Sequence, residues 1–94
     1  MDIKQLIAIV KKKITQQIVL EDIKIEDKTF LHKNHKSHEK NKFHIKLIIK
    51  SEQLKNQSKI QSAKKIYKIL DYEIKKYIHS IQILITSLLF KKFF

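Results

Sequence analysis

The chain contains no cysteine, no glycine, no proline and no arginine. Each absence removes a class of chemistry. Without cysteine there is no disulfide, no iron–sulfur site built by this chain alone and no thiol catalysis. Without glycine there is no phosphate-cradling loop of the kind that opens a nucleotide-binding fold. Without arginine the usual bidentate reader of phosphate and guanine is missing. Turns must be made by Asn, Asp, Ser, Lys and His, so the local punctuation that marks element boundaries is weak. Long apolar runs are scarce as well. The longest, from Ile81 to Phe90, is too short to cross a bilayer and is interrupted by Gln82, Thr86 and Ser87. The start, "MDIKQLIAIV", carries Asp2 and does not follow the plan of a signal peptide. The expectation is a cytoplasmic protein with no membrane association.

What is present is lysine. Twenty-one lysines against nine acidic residues give a formal net charge of +12 over 94 residues. That charge permits attraction to nucleic acid or an anionic surface. It is spread along the whole chain, and the abundance of Ile and Lys has the look of compositional bias from an AT-rich genome. The length argues for a single domain, residues 1–94, with 86–94 as a C-terminal tail.

Periodicity divides the chain. Ile3, Leu6, Ile7, Val10 and Ile14 fall at helical spacing, which predicts a helix over 3–16 with Asp2 as its cap. Ile23 and Ile25 then alternate with charged residues as a short strand. "FHIKLIIK" alternates again, with Phe43, Ile45, Leu47 and Ile49 on one face. These two strands are expected to pair antiparallel. "SEQLKNQS" reads as an irregular turn with Asn56 in a left-handed position, and Ser58 or Ser62 is the cap of a long helix. That helix carries a stripe of Ile60, Ala63, Tyr67, Leu70, Ile74 and Tyr77, widened by Ile66 and Ile69. "HSIQILIT" is the last strand. The sum is two helices on one face of a three-stranded sheet.

Four of the five histidines lie between Phe30 and His44, and the fifth is His79. His32, His35 and His38 form a His-x-x-His-x-x-His run in a polar loop, which is either a solvated connection or a place that attracts zinc or nickel. His44 alternates with the apolar positions of its strand and is expected in solvent. His79 has the same parity as Ile81, Ile83 and Ile85, so it leans towards the packed side, although the end of a strand leaves room at the rim. Nothing supplies an activated nucleophile or a paired-carboxylate site, so the chain does not read as an enzyme.

From Leu6 to Ile83 the sequence resembles the BolA family. The resemblance rests on Ser51 closing a β-branched strand, Leu54 two residues before Asn56, "SAKKIY" over Ser62 to Tyr67, the long helix, and "HSI" at His79 to Ile81. Asp27 and His32 match an Asp, a short loop and a His upstream. The departures are Ser62, Ala63 and Lys64 in place of an Arg-His-Arg element, Asn56 in place of a Gly, and Lys42 in place of a His before Phe43. The resemblance implies an α+β sandwich of order α-β-β-α-α-β, a three-stranded mixed sheet with helices packed on one face, similar to a type II KH domain. The chain lacks the Gly-x-x-Gly loop by which KH domains clamp nucleotides.

The resemblance also implies a function. BolA proteins pair a loop histidine with the histidine that opens the last strand to help hold a [2Fe–2S] cluster shared with a monothiol glutaredoxin, whose cysteine and bound glutathione supply the sulfur ligands. Carried over by position, these are His32 and His79, with His35 as the rival in the loop. A neutral imidazole suits iron when thiolates come from elsewhere. The expected role is a non-enzymatic adaptor or regulator in iron–sulfur delivery or iron signalling, a monomer or weak homodimer when alone. The alternative is a DNA-binding transcriptional regulator of morphology and stress response, contacting DNA through Lys59, Lys64, Lys65 and Lys68.

Overall fold

The computed structural model describes residues 1–29 and 42–87. Helix α1 spans Ile3–Gln17, strand β1 Asp22–Asp27 and strand β2 Phe43–Lys50. Short α2 covers Glu52–Lys55, α3 Lys59–Ile69, α4 Asp71–Lys76, and strand β3 Ile78–Thr86. With α3 and α4 taken as one broken helix, the order is α-β-β-α-α-β. The sheet runs β1-β2-β3, with β1 and β2 antiparallel and β2 and β3 parallel.

The α1 cap forms as its sequence dictates. The Asp2 carboxylate accepts the Gln5 backbone N–H at 2.8 Å, and the Gln5 side-chain oxygen accepts the Asp2 backbone N–H at 3.0 Å. This reciprocal box satisfies two of the donors that a helix start leaves over. Leu6, Val10 and Ile14 bury completely. In the sheet, Ile23 pairs with Ile49 and Ile25 with Leu47 across β1 and β2. Ile45, Leu47 and Ile49 pair with Ile81, Ile83 and Ile85 across β2 and β3. These side chains share the face that the helices cover, while Lys24, Lys46, Gln82 and Leu84 take the other.

Two expectations about the helices are corrected. Asn56 sits at φ −78°, ψ −4°, in the right-handed region, because α2 closes with its N–H bonded to the carbonyls of Glu52 and Leu54. The long helix is interrupted at Leu70 (φ −100°, ψ 17°). Its buried face matches the periodic stripe only in part: Ile66 and Leu70 are fully buried and Ile69, Ile74 and Tyr77 pack against the core. Ser62, Ile66, Leu70 and Glu73 turn inward, whereas Ile60 and Tyr67 are 68% and 43% exposed. Two polar residues hold inward positions because each has a partner. Ser62 Oγ donates to the Leu54 carbonyl at 2.9 Å, and Lys13 Nζ donates to Glu73 at 2.6 Å, tying α4 to α1. Ser58 caps α3, its Oγ accepting the Gln61 N–H at 3.1 Å.

Candidate functional site

The end of β1, the start of β2 and the start of β3 meet at one end of the sheet. The Asp27 carboxylate accepts both the N–H and the hydroxyl of Thr29, at 3.0 and 2.5 Å. The Thr29 Oγ accepts the His44 backbone N–H at 3.2 Å, and the Lys28 N–H donates to the His44 carbonyl at 2.7 Å. Opposite, the Phe43 N–H donates to the Tyr77 carbonyl at 2.8 Å. The pairing slips here. Phe43 faces Ile78 but His44 faces Ser80, so one step along β2 spans two along β3. His79 is the extra residue of this bulge. Bulges re-aim side chains and disturb strict alternation.

That bulge corrects both histidine expectations. His79 does not join the packed face of Ile81, Ile83 and Ile85; it is exposed, and Ile78 beside it is buried instead. His44 points to the side opposite Ile45, as its parity requires, yet it is only 4% exposed. The His44 ring lies 4.9 Å from the His79 ring, centroid to centroid, with the planes tilted by 55°. Its Nδ1 is 2.6 Å from Ser80 Oγ. A buried imidazole held by a serine therefore sits beside an exposed one. His44 and Ser80 are the residues that sequence reading missed. No local signal marks them, because the bulge arises from how β3 pairs with β2.

His32, His35 and His38 lie outside the described residues. The residues that flank their stretch, Thr29 and Lys42, both belong to this end of the sheet. Among the described residues no group of three or more metal-ligating side chains gathers in one place. His79 is exposed at this end of the sheet, and an imidazole is a ligand type that suits iron when thiolates come from elsewhere.

The surroundings are positive. Lys76, next to the bulge, lies 5.5 Å from the ring centres of both Tyr72 and Tyr77, and its Nζ hydrogen-bonds the Tyr72 hydroxyl at 3.1 Å. That bond lowers the Tyr72 phenol below its ordinary value and raises the Lys76 ammonium above its own. On β1, burial pushes the Glu26 carboxyl up, but Lys28 and Lys24, each 3.5 Å away, together outweigh it and hold the group below its ordinary value.

The lysines suggested for DNA all lie on α3, and Lys64, Lys65 and Lys68 stand at spacings of three and four that share a helix face. Lys64 and Lys68 are exposed one turn apart on α3, Lys65 is half-buried, and Lys59 stands at the opening turn. Ser62 is fully buried, so the position of the family's first arginine points inward here.

Comparison with known proteins agrees with this architecture. The family model for BolA-like proteins matches residues 14–88. The chain belongs to the BolA-like family. Among solved structures it is similar to the BolA domain of SufE1 from Arabidopsis thaliana, with 21% identity and a TM-score of 0.73 over 87% of this chain and 91% of that one. It is also similar to BolA1 from Mus musculus, with 15% identity and a TM-score of 0.72 over 90% and 67% of the two chains. BolA1 from Arabidopsis thaliana shares 17% identity at a TM-score of 0.69, over 85% and 88%. No curated protein matches the sequence. At these identities the likeness speaks for the fold. No helix among the described residues is long and apolar enough to cross a membrane.

Proposed function

We propose that this chain is a non-enzymatic cytoplasmic adaptor that shares a [2Fe–2S] cluster with a monothiol glutaredoxin, in iron–sulfur delivery or iron signalling. The observation that carries the reading is the exposed His79 in the β2–β3 bulge, at the end of the sheet flanked by Thr29 and Lys42. His79 would hold the cluster together with His32, or with its rival His35. When bound, the cluster would supply electron storage and a metal-dependent link between the two proteins. The chain's own residues do the positioning. The His44 ring, buried and held at Ser80, gives the His79 imidazole a fixed neighbour and restricts the directions in which it can turn. Because the sulfur ligands come from the partner, neither protein holds a complete site alone, which suits transfer or sensing.

The test is anaerobic reconstitution with a monothiol glutaredoxin, iron, sulfide and glutathione, followed by visible circular dichroism. The expected result is a spectrum distinct from that of the glutaredoxin homodimer, lost in His79→Ala. Separate His32→Ala and His35→Ala variants identify the loop ligand. A mixture whose spectrum equals that of glutaredoxin alone would overturn the proposal. The DNA reading is supported only by charge, and the inward Ser62 weighs against it.

A further inference from the structure

Among the described residues, strand β3 is an edge of the sheet. The Thr86 carbonyl accepts the Ser51 N–H at 2.9 Å, so the backbone groups of Thr86 point towards β2 and its extension. Backbone direction alternates along a strand, so the N–H and C=O groups of Ile81, Ile83 and Ile85 point away from β2, towards the outer edge. A groove of about 420 Å³ runs along that edge between β3 and the helices. Its lining includes Ile83, Leu84 and Ile85 together. Ile83 and Ile85 face the helices while Leu84 faces the other side, so a groove that touches all three follows the strand's edge and not one face. Its far wall is α2 and α3, with Lys55, Lys59 and Tyr67, and no acidic residue lines it among the described residues. Leu84 is 46% exposed and Tyr67 43%.

We propose that this groove binds an extended acidic peptide segment of a partner protein, which adds to β3 as a fourth strand. An edge strand presents a ladder of backbone donors and acceptors that only another extended chain matches, with neighbouring pockets reading alternate side chains. Apolar side chains of the peptide contact Leu84, Ile85 and the Tyr67 ring. Acidic side chains meet Lys55 and Lys59, and the net charge of +12 adds long-range attraction. The same charge opposes a second copy of this chain, which would bring its own lysines to the same groove. Nucleic acid fits less well. Among the described residues the lining offers one aromatic ring for stacking, that of Tyr67, and a phosphate backbone cannot complete a β-ladder. The groove lies four to six residues along β3 from His79, on the order of 13–20 Å at strand spacing. It is therefore separate from the histidine end, and its test stands apart from that of the cluster.

The probe is a fluorescein-labelled dodecapeptide alternating glutamate with valine, titrated with the full chain and read by fluorescence anisotropy. Saturable binding is expected, with slowed amide exchange at Ile81, Ile83 and Ile85. A Lys55→Glu/Lys59→Glu variant should bind about tenfold or more weakly, and Leu84→Glu likewise. All three positions are exposed, so far-UV circular dichroism should show the fold intact. The same peptide N-methylated at alternate residues, in each of the two registers, should bind normally in one register and fail in the other. Equal binding of both methylated peptides would overturn strand addition in favour of charge adhesion. Displacement by oligothymidylate at lower concentration than by unlabelled peptide would overturn it in favour of nucleic acid. A dimer in sedimentation that Leu84→Glu dissolves would overturn it in favour of a second copy.

Discussion

Glu73 is 3% exposed, yet its charge is met by a single lysine among the described residues. Lys13 Nζ lies 2.6 Å from one carboxylate oxygen, and the other oxygen, equally buried, has no hydrogen-bond partner among the described residues. The two halves of the pair are not equivalent. Lys13 is 37% exposed and can swing into water when its partner goes. Glu73 cannot. Removing the lysine strands a buried carboxylate, and removing the carboxylate strands nothing. Lys13→Met should therefore destabilise the fold by about 1–3 kcal/mol, the lower end reflecting solvent at the lysine. Glu73→Met should be near neutral or stabilising. Urea denaturation of both variants checks the order, and equal losses would show that the pair is worth more than its desolvation cost. Single residues were also where the sequence was hardest to read. The parity of His44 correctly predicts which side of the sheet it takes. It does not predict burial, because that depends on His79 and Ser80 arriving from a strand more than thirty residues away. The parity of His79 fails outright at the bulge, which no local pattern announces.

Elements were more legible than residues. The cap, the three strands and both long helical stretches emerge from period and from Asp2 and Ser58, and the β2 boundaries at Phe43 and Lys50 coincide with the alternating run. The inward face of α3 emerged only in part, through Ile66 and Ile69. An apolar stripe through Ile60, Ala63 and Tyr67 is only one way to meet a core. Ile66 and Leu70 of the predicted stripe do turn inward, but Ser62 and, on α4, Glu73 join them because Ser62 finds the Leu54 carbonyl and Glu73 finds Lys13, and hydropathy cannot see such partners. The displaced residues Ala63 and Tyr67 line the groove beside β3 instead. Ser51 shows the same principle at the joint between β2 and α2. Its buried hydroxyl donates to the Val19 carbonyl at 2.8 Å and accepts the Leu54 N–H at 3.2 Å, fastening the end of β2, the corner after α1 and the start of α2. Ser51→Ala should cost about 1–2 kcal/mol, the worth of a cap plus a partly desolvated carbonyl. Ser58→Ala, which removes an exposed cap, should cost about 0.5–1 kcal/mol. Equilibrium unfolding ranks the two, and faster amide exchange at Leu54 in Ser51→Ala would locate the damage at α2. If Ser58→Ala proves the more harmful, the joint is held by apolar packing around Leu54 and not by the serine.

For the molecule as a whole, the dominant fact is charge. Twenty-one lysines face nine carboxylates. The exposed ion pairs among the described residues, such as Lys75 with Asp71 at 3.0 Å and Lys24 with Glu26 at 3.5 Å, are of the kind worth little singly. The folded state gathers the surplus positive charge into a smaller volume than the unfolded chain does, so self-repulsion weighs against folding. Salt screens that repulsion over a Debye length that shrinks from roughly 30 Å at 0.01 M to roughly 10 Å at 0.1 M. Stability should accordingly rise with potassium chloride over this range and level off once the Debye length falls below the spacing of neighbouring lysines. For a domain this size each kcal/mol recovered appears as roughly 4–8 °C in Tm. The same screening should weaken the acidic-peptide interaction proposed at β3, so the two salt dependences run in opposite directions. Calorimetry and anisotropy across one salt series test both signs. A Tm that falls with salt would mean that attractive pairs outweigh the net charge, and peptide binding indifferent to salt would mean that the strand ladder and apolar contacts carry the affinity without the lysines.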